Sequence, residues 1–209
     1  MICIGSSTGG PPVLETILAA LPENLSTPMV IAQHMPGVFT ASMAKRLAQM
    51  CNLPVHHAAD QMPLQRRAVC VAEGGKQIHI KRLGPARWEL LINDDPPDAP
   101  YRPCVDVLFR SAAEAIGPCV PSIVLTGMGN DGLEGGRVLP DAGAVLLARN
   151  EESCVVYGMP KAVTEQALTA ASLPLDQIAQ SIRSLTGDAR ASSVHSLSPP
   201  ASTSNPRSR

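Results

Sequence analysis

The chain has 209 residues, of which 44% are hydrophobic and 17% charged, and its formal net charge at pH 7 is −1. This length predicts one domain with a core of ordinary size. The near-zero charge argues against nucleic-acid binding, which needs a basic face, and no apolar run is long enough to cross a bilayer. We therefore expect a cytoplasmic protein with neither a secretory leader nor membrane insertion.

The six cysteines are widely spaced, and none belongs to a Cys-x-x-Cys pair. This spacing argues against zinc ribbons and thioredoxin-like redox sites. It predicts reduced cysteines that mostly pack as small hydrophobic side chains. We expect neither a metal nor a cofactor.

In the first half of the chain, short apolar runs alternate with segments of helical periodicity. The predicted elements are strands at about 1–4 and 29–32 and helices at about 12–20 and 39–50. Between 54 and 101 the pattern changes to short strand-like runs broken by glycines, which indicate an antiparallel hairpin region. These runs lie at 69–72, 77–81 and 88–92.

The second half returns to the alternating pattern. It predicts helices at about 104–116, 133–141, 159–170 and 174–185, and strands at about 121–126 and 144–148. Alternating strands and helices are typical of βαβ units. We therefore predict a doubly wound α/β fold, with a mostly parallel sheet flanked by helices and the antiparallel hairpin at one edge. Residues 1–186 form the predicted folded domain, and the Ser- and Pro-rich residues 187–209 are predicted to form a disordered tail.

The glycine-rich run at 4–10, Ile-Gly-Ser-Ser-Thr-Gly-Gly, follows the first strand and precedes the first helix. Backbone N–H groups at such a turn favour an anion, so the run suits a phosphate cradle or a serine nucleophile with an oxyanion hole. The phosphate interpretation is weak because neither a G-x-G-x-x-G pattern nor a P-loop lysine is present. A purely structural glycine turn is the third interpretation.

Three polar residues, Ser7, His34 and Asp131, each follow an apolar strand. Because the carboxyl ends of parallel strands share one edge of the sheet, these side chains are expected to meet there. A serine attacks an ester when an imidazole takes its proton and a carboxylate orients the imidazole. Taken singly, the serine suits a turn cap, the histidine a residue near the core surface, and the aspartate an N-cap for the following helix. Their coincident positions favour a catalytic triad.

Five motifs occur in the order found in one protein family. They lie at 4–10 (above), 33–36 (Gln-His-Met-Pro, followed by Phe39-Thr40), 102–109 (Arg-Pro-Cys-Val-Asp-Val-Leu-Phe), 125–132 (Leu-Thr-Gly-Met-Gly-Asn-Asp-Gly) and 150–160 (Asn-Glu-Glu-Ser-Cys-Val-Val-Tyr-Gly-Met-Pro). Over residues 2–185 the chain resembles the catalytic domain of the chemotaxis protein-glutamate methylesterases (CheB).

This resemblance implies hydrolysis of glutamyl methyl esters on chemoreceptor signalling helices, giving methanol and a carboxylate, and in many members deamidation of receptor glutamines. It implies Ser7 rather than Ser6 as the nucleophile, with His34 and Asp131 completing the triad. By the same resemblance, Thr8 and Met128 are oxyanion or positioning residues. The expected partners are methylated chemoreceptor cytoplasmic helices and a separate response-regulator or kinase protein.

Two other functions fit the same sequence, namely a small-molecule esterase or amidase and a non-catalytic adaptor that binds receptor helices. Members of the family commonly carry an N-terminal receiver domain that covers the active site until it is phosphorylated. The present sequence starts at the first strand of the catalytic domain. We therefore expect this polypeptide to hydrolyse its substrate without activation by phosphorylation.

Overall fold

The computed structural model describes residues 1–117 and 120–185. The predicted tail, 187–209, lies outside these residues. The strands are β1 (Ile2–Ser6), β2 (Met29–Gln33), β3 (Val55–His57), β4 (Met62–Pro63), β5 (Val69–Val71), β6 (Gln77–Gly84), β7 (Arg87–Asn93), β8 (Ser122–Val124), β9 (Leu146–Arg149) and β10 (Ala171–Leu173). The helices are α1 (Gly10–Ala19), α2 (Gly37–Met50), α3 (Val105–Ile116), α4 (Leu133–Asp141), α5 (Met159–Glu165) and α6 (Leu175–Leu185).

The main sheet has the strand order β10-β9-β8-β1-β2-β5-β3 in the described part of the chain. Every pairing within it is parallel. The chain leaves the central strand β1 toward β2 on one side and later returns to β8 on the other. This change of direction creates a crevice beyond the carboxyl ends of β1, β2 and β8, where ligands bind in open α/β sheets.

Helices cover both faces of this sheet because alternate strand residues point to opposite sides. On one face, Ile4 and Ile31 pack with α1, α2 and α6. On the other, Cys3 and Val30 pack with α3, α4 and α5. Residues of the central strands are therefore apolar on both faces, as expected for buried parallel strands.

The predicted α/β class is confirmed, with its mostly parallel sheet and its antiparallel hairpin. The hairpin strands β6 and β7 do not continue the main sheet but join β4 in a three-stranded sheet of their own. The run at 69–72, predicted to belong to the hairpin region, is instead the parallel strand β5 between β2 and β3. Its residues are fully buried, which parallel pairing inside the main sheet explains better than a hairpin does.

Two short strands of the main sheet were absent from the sequence prediction. The edge strand β3 has only three residues, two of them histidines, and carries no apolar pattern. At the other edge, β10 follows a helix that ends at Glu165 rather than at about 170. The alanines before and within β10 favour helix locally, and pairing with β9 overrides that preference.

The described cysteines are free thiols, as the spacing predicts. Three of them, Cys3, Cys70 and Cys104, are buried, and Cys51 and Cys154 are partly buried. Burial raises the pKa of Cys3 to about 12 and that of Cys70 to about 11, so both stay protonated at neutral pH.

Among residues 1–117 and 120–185, the structure has no helix of the length and hydrophobicity that spanning a membrane requires.

Candidate active site

Ser7 lies on the turn between β1 and α1, at the carboxyl edge of the main sheet. Its backbone N–H donates to the carbonyl of Thr126 at 2.8 Å. Its own carbonyl accepts from the N–H of Gly10 at 2.8 Å and from Gln33 Nε2 at 2.9 Å. These contacts fix the serine backbone to the segments that follow β8 and end β2. The Ser7 hydroxyl has no hydrogen-bond partner among the described residues.

Ser6, its neighbour, has a different environment. Its side chain is fully buried, and its hydroxyl donates to Gln33 Oε1 at 2.6 Å. The amide group of Gln33 also donates to the carbonyl of His34 at 3.0 Å. Ser6 therefore holds the glutamine that ties the Ser7 turn to the His34 segment, and its hydroxyl is already in use.

His34 directly follows β2, and its Nε2 lies 2.6 Å from Oδ2 of Asp131. Because an ionised carboxylate only accepts hydrogen bonds, Nε2 carries the proton of this pair. The other ring nitrogen, Nδ1, is buried and has no partner within the described part of the chain. Nδ1 is thus the nitrogen with a lone pair available to a nearby proton donor.

Asp131 is 3% exposed and is held by the N-terminus of α3. Its carboxylate accepts from the N–H groups of Val105 at 2.7 Å and Asp106 at 3.0 Å, and from Cys104 Sγ at 3.1 Å. Burial alone would raise the pKa of Asp131, but the hydrogen bonds from His34 and these donors outweigh it and hold the pKa below its ordinary value. The aspartate therefore remains ionised beside the imidazole.

As its alternative to a catalytic role, the sequence suggested that Asp131 caps the helix that follows it, which is α4. The structure shows a different capped helix. Asp131 caps α3, and the following helix α4 is capped by Asp106, whose Oδ1 accepts from the N–H groups of Gly132 at 2.9 Å and Gly135 at 2.7 Å. Burial, and then the neighbouring Asp131 charge, raise the pKa of Asp106 to about 6 against these hydrogen bonds. The two aspartates thus link the starts of α3 and α4 to the histidine.

Cys104, Asp106 and Asp131 place a possible ligand atom each within 4.8 Å of one another, the spacing of a metal site. Their chemistry does not fit one. Both carboxylate oxygens of Asp131 and the Oδ1 atom of Asp106 already accept hydrogen bonds from backbone N–H groups, which a cation would have to displace. Burial, followed by the charge of Asp131, raises the pKa of the Cys104 thiol to about 12, whereas metals bind the thiolate.

The loop after β8 brings backbone donors to Ser7. Gly127 has a φ of 155°, and a Cβ built on it would lie 2.5 Å from Ser7 Cβ, so any larger residue would push the loop away. The N–H groups of Thr8 and Met128 have no acceptor among the described residues. Thr8 follows Ser7 in sequence and Met128 follows the glycine that touches it, so both N–H groups are available to an oxyanion. The side chains of Thr8 and Met128 are exposed.

The structure therefore places all the predicted site residues along one edge of the sheet. It joins His34 to Asp131, and it shows no hydrogen bond from Ser7 Oγ to His34 within the described residues. That last contact remains a prediction, and loose nucleophile contacts are common in unliganded enzymes.

Sequence reasoning missed two residues of the site. Gln33, whose side-chain amide joins the Ser7 turn to the His34 segment, lies within the Gln-His-Met-Pro motif next to the predicted histidine. Tyr101 comes from the loop after β7 and stacks on His34, with ring centroids 4.2 Å apart and an interplanar angle of 11°. Its position directly before the 102–109 motif was the only signal, because its neighbours predict an irregular loop.

Large apolar side chains are exposed around the same edge. Phe39 in the first turn of α2 is 57% exposed, Met128 71% and Val155 73%. Val155 borders the serine turn, since a Cβ built on Gly9 would lie 3.1 Å from Val155 Cβ. Exposed apolar groups gathered at one place are typical of surfaces that bind other macromolecules.

A protein-family model described as CheB methylesterase matches residues 2–182. Among curated proteins, the protein-glutamate methylesterase/protein-glutamine glutaminase of Vibrio parahaemolyticus is 49% identical over 181 residues, which cover 86% of this chain and 48% of that protein. A protein of the same name from Vibrio cholerae is 47% identical with the same coverage. The chain thus spans about half the length of these relatives. The crystal structure of the Thermotoga maritima CheB methylesterase catalytic domain is similar, with a TM-score of 0.84, 35% identity, and coverage of 88% of this chain and 97% of that one.

Proposed function

Since the chain belongs to the CheB methylesterase family, we propose that it is a serine hydrolase that cleaves glutamyl methyl esters on chemoreceptor signalling helices. The observation that carries this proposal is the His34–Asp131 pair, whose aspartate is buried and whose atoms lie 2.6 Å apart beside the serine turn. The proposed catalytic domain is residues 1–186, and the proposed partners are the methylated receptor helices.

In the proposed reaction, Ser7 Oγ attacks the ester carbonyl carbon while His34 Nδ1 takes the hydroxyl proton. The carbonyl oxygen becomes an oxyanion, which accepts hydrogen bonds from the N–H groups of Thr8 and Met128. Asp131 stabilises the imidazolium that forms. Nδ1 then gives its proton to the methoxy oxygen, the C–O bond breaks, and methanol leaves a glutamyl ester on Ser7.

The second half of the reaction repeats these roles with water. His34 Nδ1 takes a proton from a water molecule, whose oxygen attacks the glutamyl-serine ester. The proton then passes to Ser7 Oγ as that bond breaks, and a free glutamate side chain is released. With a glutamine in place of the methyl ester, the same steps release ammonia, which agrees with the glutaminase activity in the names of the relatives.

The surface around the site supports a protein substrate over a small ester. Phe39, Met128 and Val155 expose apolar area along the edge of the sheet that carries Ser7, and a free small molecule would cover little of it. An amphipathic receptor helix presents apolar residues beside its methylated glutamates and would bury this area. This observation favours the receptor esterase over the small-molecule hydrolase.

The decisive experiment measures methanol released from a methylated receptor by the wild-type protein and by Ser7→Ala. We expect the variant to lose activity by about 10³-fold or more, as nucleophile variants of serine hydrolases do. Labelling with a phosphonofluoridate and peptide mass mapping should place the adduct on Ser7. An adduct on Ser6, or normal turnover by a folded Ser7→Ala protein, would contradict the assignment.

A further inference from the structure

The ring of Tyr101 covers one face of the His34 imidazole, with the two rings nearly parallel and 4.2 Å apart. The steps of the proposed reaction assign nothing to this tyrosine. We propose that Tyr101 is a positioning residue that fixes the plane of the imidazole and thereby aims Nδ1 at Ser7. This inference rests on the proposed function, because it assigns His34 the role of proton carrier.

The backbone that carries Tyr101 is fixed from outside the main sheet. Gln77, a fully buried residue of β6, donates from Nε2 to the carbonyl of Tyr101 at 2.8 Å and accepts at Oε1 from the N–H of Cys104 at 2.9 Å. Between them, the N–H of Gly75 donates to the carbonyl of Arg102 at 2.9 Å. Three hydrogen bonds therefore hold three of the four residues from Tyr101 to Cys104, so the ring approaches His34 from a well-fixed segment.

The far end of the tyrosine is confined as well. Its hydroxyl lies against Gly129, where a Cβ would come within 3.0 Å of the oxygen, and where φ is 83°. Gly129 belongs to the loop that carries the Met128 N–H. The ring thus fills the space between the imidazole and this loop.

The hydrogen bond from Nε2 to Asp131 fixes one atom of the imidazole, but small changes in the two side-chain torsions of His34 can still tilt the ring at that contact. A flat aromatic surface in van der Waals contact removes this freedom, because tilting the imidazole would press it into the tyrosine. Placement of a catalytic group matters strongly, since a misplacement of about 1 Å can cost about 100-fold in rate. The electron-rich face of the ring also favours the imidazolium that forms during the reaction.

Three variants distinguish the contribution of the aromatic ring from that of the hydroxyl group and from that of an apolar side chain that only fills the space. Tyr101→Phe keeps the aromatic face, Tyr101→Leu keeps an apolar side chain without it, and Tyr101→Ala removes both. We expect Phe to keep most of the wild-type kcat, and Leu and Ala to lose about 10- to 100-fold in kcat with little change in KM for the methylated receptor. Thermal unfolding of each variant shows that the protein remains folded under the assay conditions.

A spectroscopic readout tests the contact without activity. In the wild-type protein and in Tyr101→Phe, the ring current of the stacked aromatic group should shift the His34 ring-proton NMR resonances upfield, and the shift should vanish in Tyr101→Leu. His34→Gln identifies these resonances. Normal kcat in Tyr101→Leu, or a Phe variant as impaired as the Ala variant, would overturn the proposal. If Ser7→Ala, assayed in parallel, kept its activity, the proposed function would fail instead, and the NMR shift would still report on the stacking.

Discussion

Replacement of Asp106 by asparagine tests the electrostatics on which the active-site helices depend. Asp106 Oδ1 accepts from the N–H groups of Gly132 and Gly135, and asparagine offers an oxygen at the same place. The variant therefore keeps the cap of α4 and removes the negative charge beside Asp131. Burial and that neighbouring charge raise the pKa of Asp106 to about 6.

The magnitude follows from this pKa. The ordinary value is 3.8, so ionising Asp106 would cost about 3 kcal/mol more in the folded protein than in the unfolded chain. Solvent screening of this partly exposed carboxylate reduces the cost to about 2 kcal/mol. Between about pH 4 and pH 6 the folded state holds a proton that the unfolded state has lost, and the Asp106 contribution to stability falls as the pH rises. Above about pH 6 the full cost applies. An asparagine at this position does not titrate. The stability of the variant relative to the wild-type protein should therefore increase as the pH rises through this interval.

Thermal unfolding by circular dichroism at a series of pH values measures the difference. Near pH 4 the variant should be no more stable than the wild-type protein. At pH 8 its relative gain should approach about 2 kcal/mol, or roughly 4–8 °C in Tm for a chain of this size. A stability difference that is the same at both pH values would refute the reasoning, because it would show that Asp106 is not protonated in the folded protein at pH 4–6.

Three further substitutions test the site. Ser6→Ala should lower the free energy of unfolding by about 1–3 kcal/mol, because it leaves the buried Gln33 Oε1 without its donor, yet retain most of the methanol release; complete loss of turnover in the folded variant would count against Ser7 as the nucleophile. Asp131→Asn should reduce kcat by about 10³- to 10⁴-fold, since the amide no longer stabilises the imidazolium, and near-normal kcat would remove the aspartate from the mechanism. Phe39→Ala should raise KM for the methylated receptor more than KM for a small ester such as p-nitrophenyl acetate. Leu83→Ala, a matched control on the hairpin with 44% exposure, should change neither, and an equal effect of both substitutions would argue against docking at this edge.

The positions of Ser7, His34 and Asp131 could be predicted because each follows a strand, and parallel strands end at a common edge. That argument needs only the local apolar pattern and the parallel pairing. It does not depend on where each helix ends or on how many strands the sheet has. The errors at β3, β5 and β10 therefore do not affect this argument.

Tyr101 could not be predicted in the same way. It lies in a segment without periodicity, and its place against His34 depends on the three-stranded sheet, whose side chains act across a long sequence separation. The buried Gln77 reads as one more strand residue in the sequence, while in the structure it holds both ends of the segment from Tyr101 to Cys104. Hydrogen bonds from a side chain to distant backbone groups leave no pattern in the local sequence, because any residue type can supply the backbone partner.

The carboxylate of Asp131 shows why the site and the fold are difficult to separate. One oxygen, Oδ2, accepts both from His34 and from the N–H of Val105, the first residue of α3. The partial positive charge at the start of that helix stabilises the ionised aspartate, and the ionised aspartate stabilises the helix. Gln77 holds the N–H of the preceding residue, Cys104, and through the same amide the carbonyl of Tyr101. The small antiparallel sheet therefore positions both the support of the carboxylate and the aromatic ring over the histidine, although none of its strands belongs to the sheet whose edge forms the site.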